Sequence, residues 1–262
     1  MSAKDSVSGT MLIAFLLCVA CSVVISSAAV MLQPLQAQNK LLDRNKNVLI
    51  AAGIFDPEIN TNAEVPRLFS EFTPRIVDLD AGRFLSDAEL AELGIDPETY
   101  DQRIAANDPQ LSKPLSNSED IASIQRRVNY ATVYVIEDEA GEVETIVLPI
   151  SGYGLWGTMH AFLALQGDAN TVIGIGFYDQ QETPGLGGEV TNPRWRSLWQ
   201  DKRIYDEQGN VALSVIKGQG TGPYQIDGLS GASLTSRGVD NLLEYWLGEN
   251  GFGPLLAAIR NS

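Results

Sequence analysis

Histidine and cysteine are nearly absent from this chain. His160 is the only histidine in 262 residues, and the two cysteines, Cys18 and Cys21, both lie near the N-terminus. Structural zinc, iron–sulfur clusters and haem draw on those side chains, so any metal centre would have to rest on carboxylates. A Ser-His-Asp hydrolase would have to use His160, whose neighbours Thr158, Met159, Ala161 and Phe162 read as an apolar, partly buried stretch around a structural histidine. Basic residues are also scarce. With 18 Lys and Arg against 33 Asp and Glu, the formal net charge is −15, the wrong sign for a protein that binds nucleic acid through phosphates. Repeats and low-complexity tracts are missing, and a composition 44% hydrophobic and 19% charged is that of a folded chain rather than a disordered one.

One long stretch lacks charge altogether. Met11 to Leu32 is 22 residues without Asp, Glu, Lys or Arg, enough at the helical rise to cross a hydrocarbon core of about 30 Å. After a short tail, residues 1–10, it reads as a single transmembrane anchor contacting lipid. A cleaved signal peptide is the competing reading, because Ser26, Ser27, Ala28 and Ala29 supply small residues. Against it, Lys4 is the one basic residue ahead of the stretch, Asp5 offsets it, and the apolar run continues through Val30, Met31 and Leu32. Cys18 and Cys21 have C-x-x-C spacing, but within an apolar helix they read as small apolar residues. Lys40, Arg44 and Lys46 follow the anchor, a small excess that would hold the large domain inside. Long domains translocate largely regardless of such a bias.

The remainder, residues 33–262, reads as one soluble α+β domain with an antiparallel sheet and flanking helices. Gln33 to Asn47 is polar and helix-compatible, and an apolar run then closes at Gly53. Phe55 to about Leu115, rich in Asp, Glu, Pro and Asn, is expected to wrap the outside, with one helix over Asp87–Leu93. Tyr130–Ile136 and Val143–Ile150, joined by an acidic turn through Gly141, predict a hairpin. Thr171–Tyr178 and Val211–Ile216 are expected to complete the sheet, with helices over Asn192–Gln200 and at the C-terminal end.

Three glycine-containing motifs carry the chemistry. Gly152 to Gly157 spells G-x-G-x-x-G, but the strand before it belongs to a hairpin, the stretch after Gly157 is short for a crossover helix, and Trp156 would crowd a pyrophosphate. A dinucleotide fold is therefore not expected. Glu182-Thr183-Pro184-Gly185-Leu186-Gly187-Gly188-Glu189 is a loop by composition. It is either a tight turn or a ligand-facing loop. Ser230-Gly231-Ala232-Ser233 precedes apolar positions at Leu234, Val239, Leu242, Leu243, Trp246 and Leu247, with Gly248 as a stop, and so marks a helix N-terminus suited to a phosphate. Ordinary N-capping by Ser233, Thr235 or Ser236 explains the same residues.

Asp227 with Ser230-Gly231-Ala232-Ser233 resembles the flavinylation motif D-x-x-S-G-A-T of FMN-binding domains, and E-T-P-G-L-G at Glu182–Gly187 is similar to their second signature. With the N-terminal anchor, D-R-N-K-N-V-L-I-A-A-G at Asp43–Gly53, G-Y-G-L-W at Gly152–Trp156 and the extension G-G-E-V-T-N-P, the order of motifs resembles the C-subunit family of sodium-translocating NADH:quinone oxidoreductases over nearly the whole chain. The alternative within the same superfamily is the G-subunit of the related electron transport complex. The Asp43–Gly53 stretch and the extension argue for the C-subunit. Outside the superfamily, the alternative is a membrane-anchored ligand-binding protein with no redox role.

The resemblance implies an electron-transfer subunit that carries FMN through a phosphoester at Ser233, attached by a flavin transferase that recognises Asp227 and draws on FAD and a divalent metal. It further implies non-covalent contacts from Leu155, Trp156, Glu182, Thr183, Leu186, Gly187, Ser230, Gly231, Ala232, Leu234 and Thr235, with no catalytic acid or base and no metal ligand in this chain. Its partners would be the other subunits of a complex that oxidises NADH, reduces ubiquinone and exports sodium across the bacterial inner membrane, with the soluble domain in the periplasm. The chain departs from the motif at Ser233, where threonine is usual. Serine offers the same hydroxyl without the methyl group that restricts its rotamer.

Overall fold

In a computed structural model, which describes residues 7–261, the chain opens with helix α1, Val7–Ala51. The apolar stretch lies within it, and α1 is long and apolar enough to cross a membrane. Residues 1–6 of the expected tail lie outside the described residues. The helix does not stop at residue 32. It runs through Pro34 and the polar, helix-compatible stretch, and by its internal contacts the chain divides between Arg44 and Asn45. Gly53, at φ 70°, ends the helix with a left-handed turn, its N–H donating to the Ile50 carbonyl.

Within the folded part, Val48, Leu49 and Ala51 of that last turn are buried. Next come α2 (Val65–Phe69), β1 (Thr73–Asp78), β2 (Arg83–Phe84), α3 (Asp87–Leu93), α4 (Gln102–Ala105), β3 (Ser112–Pro114) and β4 (Arg126–Val128). The sheet strands β5 (Tyr130–Glu137), β6 (Val143–Tyr153), β7 (Thr158–Gln166) and β8 (Val172–Asp179) follow, then α5 (Pro193–Arg196), β9 (Ser214–Ile216), β10 (Gln225–Asp227), α6 (Ser233–Leu247) and α7 (Gly253–Arg260). Helix α3 has the bounds its sequence predicts, because a Ser86/Glu89 capping box starts it and left-handed Gly94 ends it.

The main sheet has six strands in the order β2-β1-β5-β6-β7-β8, every adjacent pair antiparallel. The predicted hairpin is β5–β6. Two expectations about the sheet need correction, and one strand has no counterpart among them. The segment before Leu115 does not only wrap the outside, because β1 inserts into the sheet beside β5; β2 covers only Val77 and Asp78, which leaves Pro74 on a stretch that is an edge on that side, where proline is tolerated. The run after Gly157 is a central strand, β7. The stretch Val211–Ile216 supplies only β9, which pairs in parallel with β10 in a separate two-stranded sheet.

One face of the main sheet, with Ile146, Leu148, Met159, Ala161, Leu163 and Leu165, packs against α6 through Val239, Leu242, Leu243 and Trp246. The opposite face carries an aromatic row in which Tyr134 meets Phe162 edge-on and Phe162 stacks on Tyr178 at 4.9 Å between ring centroids. There the end of α1 comes so close to β8 that a Cβ at Gly174 would lie 2.7 Å from the Ala51 carbonyl oxygen.

Two glycines let α6 lie close on the end of β6. A Cβ at Gly152 would stand 2.7 Å from the Leu242 Cβ, and one at Gly238 would stand 2.4 Å from the Tyr153 carbonyl oxygen. The Trp246 indole N–H, donating to the Ser151 carbonyl at 2.7 Å, fixes the helix along the strand. This crossing brings the first turn of α6 beside the turn that joins β6 to β7.

Candidate flavin site

Gly154 to Gly157 is that β6–β7 turn, so the G-x-G-x-x-G sequence forms a hairpin end and not a strand-to-helix phosphate loop. Its Leu155 and Trp156 N–H groups both donate to Glu182 Oε1, at 2.9 and 3.0 Å. The other Glu182 oxygen accepts the Thr235 hydroxyl from the first turn of α6. Glu182 is only 5% exposed, and it joins three segments that are far apart in sequence. The loop it begins leans on the helix start. Leu186 Cδ2 lies 3.0 Å from where a Gly231 Cβ would stand, and a Gly187 Cβ would fall 2.5 Å from Thr235 Oγ1.

Gly231, at φ 75°, turns the chain into α6, which begins at Ser233 with Ala232 as its cap residue and no side-chain cap. The three nearby hydroxyls have different fates. Thr235 is 1% exposed and bound to Glu182. Ser236 is also buried, accepting from the Leu229 N–H at 2.9 Å and donating to the Ala232 carbonyl at 3.1 Å. Ser233 is exposed, and among the described residues nothing hydrogen-bonds to its hydroxyl. It sits where uncapped N–H groups and the positive end of the helix favour an anion.

The segments that Glu182 and Leu186 tie to the start of α6 carry exposed apolar side chains. Leu155, Trp156 (62% exposed), Leu186 and Leu234 (53% exposed) all present large side chains to solvent, with Tyr153 beside them. Leu234, placed with the buried positions of α6 by periodicity, belongs to this rim instead. Thr183, Ser230 and Gly231 are exposed, while Gly187 and Ala232 are buried beneath. A planar, partly apolar ring with a phosphate tail fits these residues: apolar side chains for the ring, a free hydroxyl at an uncapped helix start for the phosphate.

Asp227 stands apart from the rim. Its carboxylate accepts the Gly220 N–H at 2.8 Å, and its carbonyl takes the Trp195 indole N–H at 2.8 Å. The motifs contained Tyr153 and Gly154 without giving either a role, and Gly238 lay outside them. The G-Y-G-L-W sequence held the signal for the first two, whereas Gly238 looks like an ordinary helix glycine until the Tyr153 carbonyl is seen above it.

His160 faces Ser151 across the β6–β7 ladder and Asp179 across β7–β8. Asp179 is paired with Arg103 at 2.8 Å, and no hydrogen bond among the described residues joins the imidazole to Ser151 or Ser230. Burial, reinforced by the Arg103 charge and only partly opposed by Asp179, pulls its pKa down to about 4. This is a neutral histidine beside Tyr178 at 6.1 Å, without the nucleophile–base geometry of a hydrolase.

Residues 154–248, which hold both the turn and the helix start, match the FMN-binding domain family. Over the whole chain, the C-subunit of the Na(+)-translocating NADH-quinone reductase of Pseudomonas aeruginosa is 49% identical, with 99% of this chain and 98% of that protein aligned. This chain belongs to the C-subunit family of Na(+)-translocating NADH-quinone reductases. The C-subunit of Yersinia pestis is 43% identical over 98% of this chain and 94% of its own length. The crystal structure of Shewanella oneidensis NqrC, 33% identical, superposes with a TM-score of 0.74 over 86% of this chain and all of that one. The α+β domain with its six-stranded antiparallel sheet is thus the architecture of a C-subunit, and in this chain it follows the long apolar helix α1.

Proposed function

We propose that this C-subunit carries electrons within a sodium-translocating NADH:quinone reductase, with FMN joined to Ser233 Oγ by a phosphoester. The observation that supports this reading best is the sorting of hydroxyls at the start of α6: Thr235 and Ser236 are buried and bonded, and Ser233 is exposed and makes no side-chain hydrogen bond among the described residues. Bound FMN supplies the chemistry, taking up and releasing electrons one or two at a time. The protein's own residues hold and shield it. Leu155, Trp156, Leu186 and Leu234 offer apolar surface to the ring, and the first-turn N–H groups of α6 offset the negative charge of the phosphodiester.

Attachment by a flavin transferase from FAD would form the bond from Ser233 Oγ to the FMN phosphorus and break the pyrophosphate bond of FAD, with AMP as the leaving group and the serine proton released. Residues 11–32 would cross the inner membrane once, with the folded domain on the periplasmic side and the other subunits of the complex as its electron partners.

Intact mass and in-gel ultraviolet fluorescence of the full chain, co-produced with a flavin transferase, test the site. Wild type is expected to gain one FMN less one water, and Ser233→Ala to gain nothing and lose fluorescence. A wild-type chain left unmodified under conditions that load a known threonine acceptor, or a Ser233→Ala chain still carrying the adduct, would refute the assignment.

A further inference from the structure

We infer that Glu182 is a positioning residue of this site, a buried clamp that fixes the Leu155–Trp156 turn against α6 without itself touching the flavin; this rests on the reading of Ser233 as the attachment point. A carboxylate that is 5% exposed is costly to bury unless donors surround it. Glu182 has three, the Leu155 and Trp156 N–H groups on Oε1 and the Thr235 hydroxyl on Oε2, and no cation among the described residues pairs with it. Both oxygens are therefore spent inside the protein.

Two glycines are shaped around the carboxylate. A Cβ at Gly154 would lie 2.6 Å from Oε1, and a Cβ at Gly187 would lie 2.6 Å from Oε2. The second glycine of G-Y-G-L-W and the last glycine of E-T-P-G-L-G thus share one physical cause, the room this side chain needs. The β6–β7 turn has few other ties. Gly154 N–H donates to the Gly157 carbonyl within the turn, and Trp156 is largely in solvent. Without Glu182, the two exposed side chains on one side of Ser233 would lose their fixed distance from the helix that carries it.

The test uses the full chain in detergent, made with and without a co-produced flavin transferase. In the chain made without transferase, Glu182→Ala is expected to speed hydrogen exchange at the Leu155 and Trp156 amides by about tenfold or more, and Glu182→Gln, which keeps an acceptor oxygen, to restore exchange to within about threefold of wild type. In the loaded chain, Glu182→Ala keeps one FMN per chain by intact mass while iodide quenching of the flavin rises about threefold or more, and Glu182→Gln again restores it. Thr235→Val cuts only the Oε2 tie and gives a smaller rise in quenching. It decides the matter if Glu182→Ala fails to fold, wild-type quenching in Thr235→Val then overturning the clamp.

Unchanged exchange and quenching in a folded Glu182→Ala would overturn the inference. So would Glu182→Gln behaving like Glu182→Ala, or loss of FMN at wild-type exchange rates, which would place Glu182 in recognition by the transferase. A wild-type chain without flavin would sink the Ser233 reading instead, and the exchange measurement would still decide the clamp.

Discussion

Replacing Gly238 by alanine sets two opposed effects against each other at the crossing of α6 and β6. In an open helix, Gly→Ala gains about 1 kcal/mol of helix propensity. At this position the new Cβ would stand 2.4 Å from the Tyr153 carbonyl oxygen, 3.0 Å from the Gly154 Cα and 3.3 Å from Met159 Cε. Two of those three atoms are backbone, held by the β6–β7 pairing, and cannot rotate away. Overpacking of this kind costs about 3 kcal/mol at its upper end, so Gly238→Ala should destabilise the domain by about 2 kcal/mol net. Urea unfolding of the full chain in detergent, followed by tryptophan emission, measures it as a shift in midpoint at constant slope. Gly222, with nothing within 4 Å of its added Cβ, is the control, and Gly222→Ala should change stability by less than about 0.5 kcal/mol. A Gly238→Ala chain as stable as wild type, or more so, would refute the reasoning: α6 could then slide off the end of β6 for less than the propensity gain.

Ser233→Thr adds a methyl that narrows the side-chain rotamers without removing the hydroxyl, so FMN per chain by intact mass should equal or exceed wild type. The pKa of His160, pulled from 6.5 to about 4 by burial and by Arg103, means the unfolded chain takes up that proton first as pH falls. Its share of stability is therefore full above pH 6.5 and declines toward pH 4, and His160→Gln should flatten that part of the melting-temperature profile measured against wild type. Arg127, 3% exposed, is paired with Asp80 and donates to the Asn250 carbonyl at 2.6 Å. Asp80→Asn should cost about 2 kcal/mol in urea unfolding, less than breaking a fully buried pair because Asp80 is itself half-exposed.

The parts of the fold that were legible in the sequence are those whose signals are local. The Ser86/Glu89 box with Gly94 bounds α3, the acidic turn at Gly141 joins β5 to β6, and Gly248 stops α6. Strand β7 carried no alternation to read, because five consecutive residues, Ala161 to Leu165, are buried between two neighbouring strands and layers on both faces. Strand β1 was obscured by Pro74, which argues against a strand unless the neighbour is known to stop short. At the site, the motifs located Ser233, the apolar residues and the loop, but not what connects them. The Glu182–Thr235 bond spans 53 residues, and nothing in either segment alone shows that the carboxylate points inward. Leu234 had the periodicity of a core residue, and only the packing shows that the first turn of α6 leaves it in solvent.

With FMN attached at Ser233 as proposed, the sorting of hydroxyls at the start of α6 would also give maturation a direction in time. In a newly made chain Ser233, Thr235 and Ser236 are alcohols of similar reactivity within four positions, and an enzyme acting on that chain would have to choose among them as well as Ser230. Once β6, the Glu182 loop and α6 have assembled, Thr235 and Ser236 are closed off. Choice of Ser233 over Thr235 and Ser236 would then follow from the acceptor's shape, so a flavin found at Ser233 and at neither of those two would record that the chain folded first and was modified second.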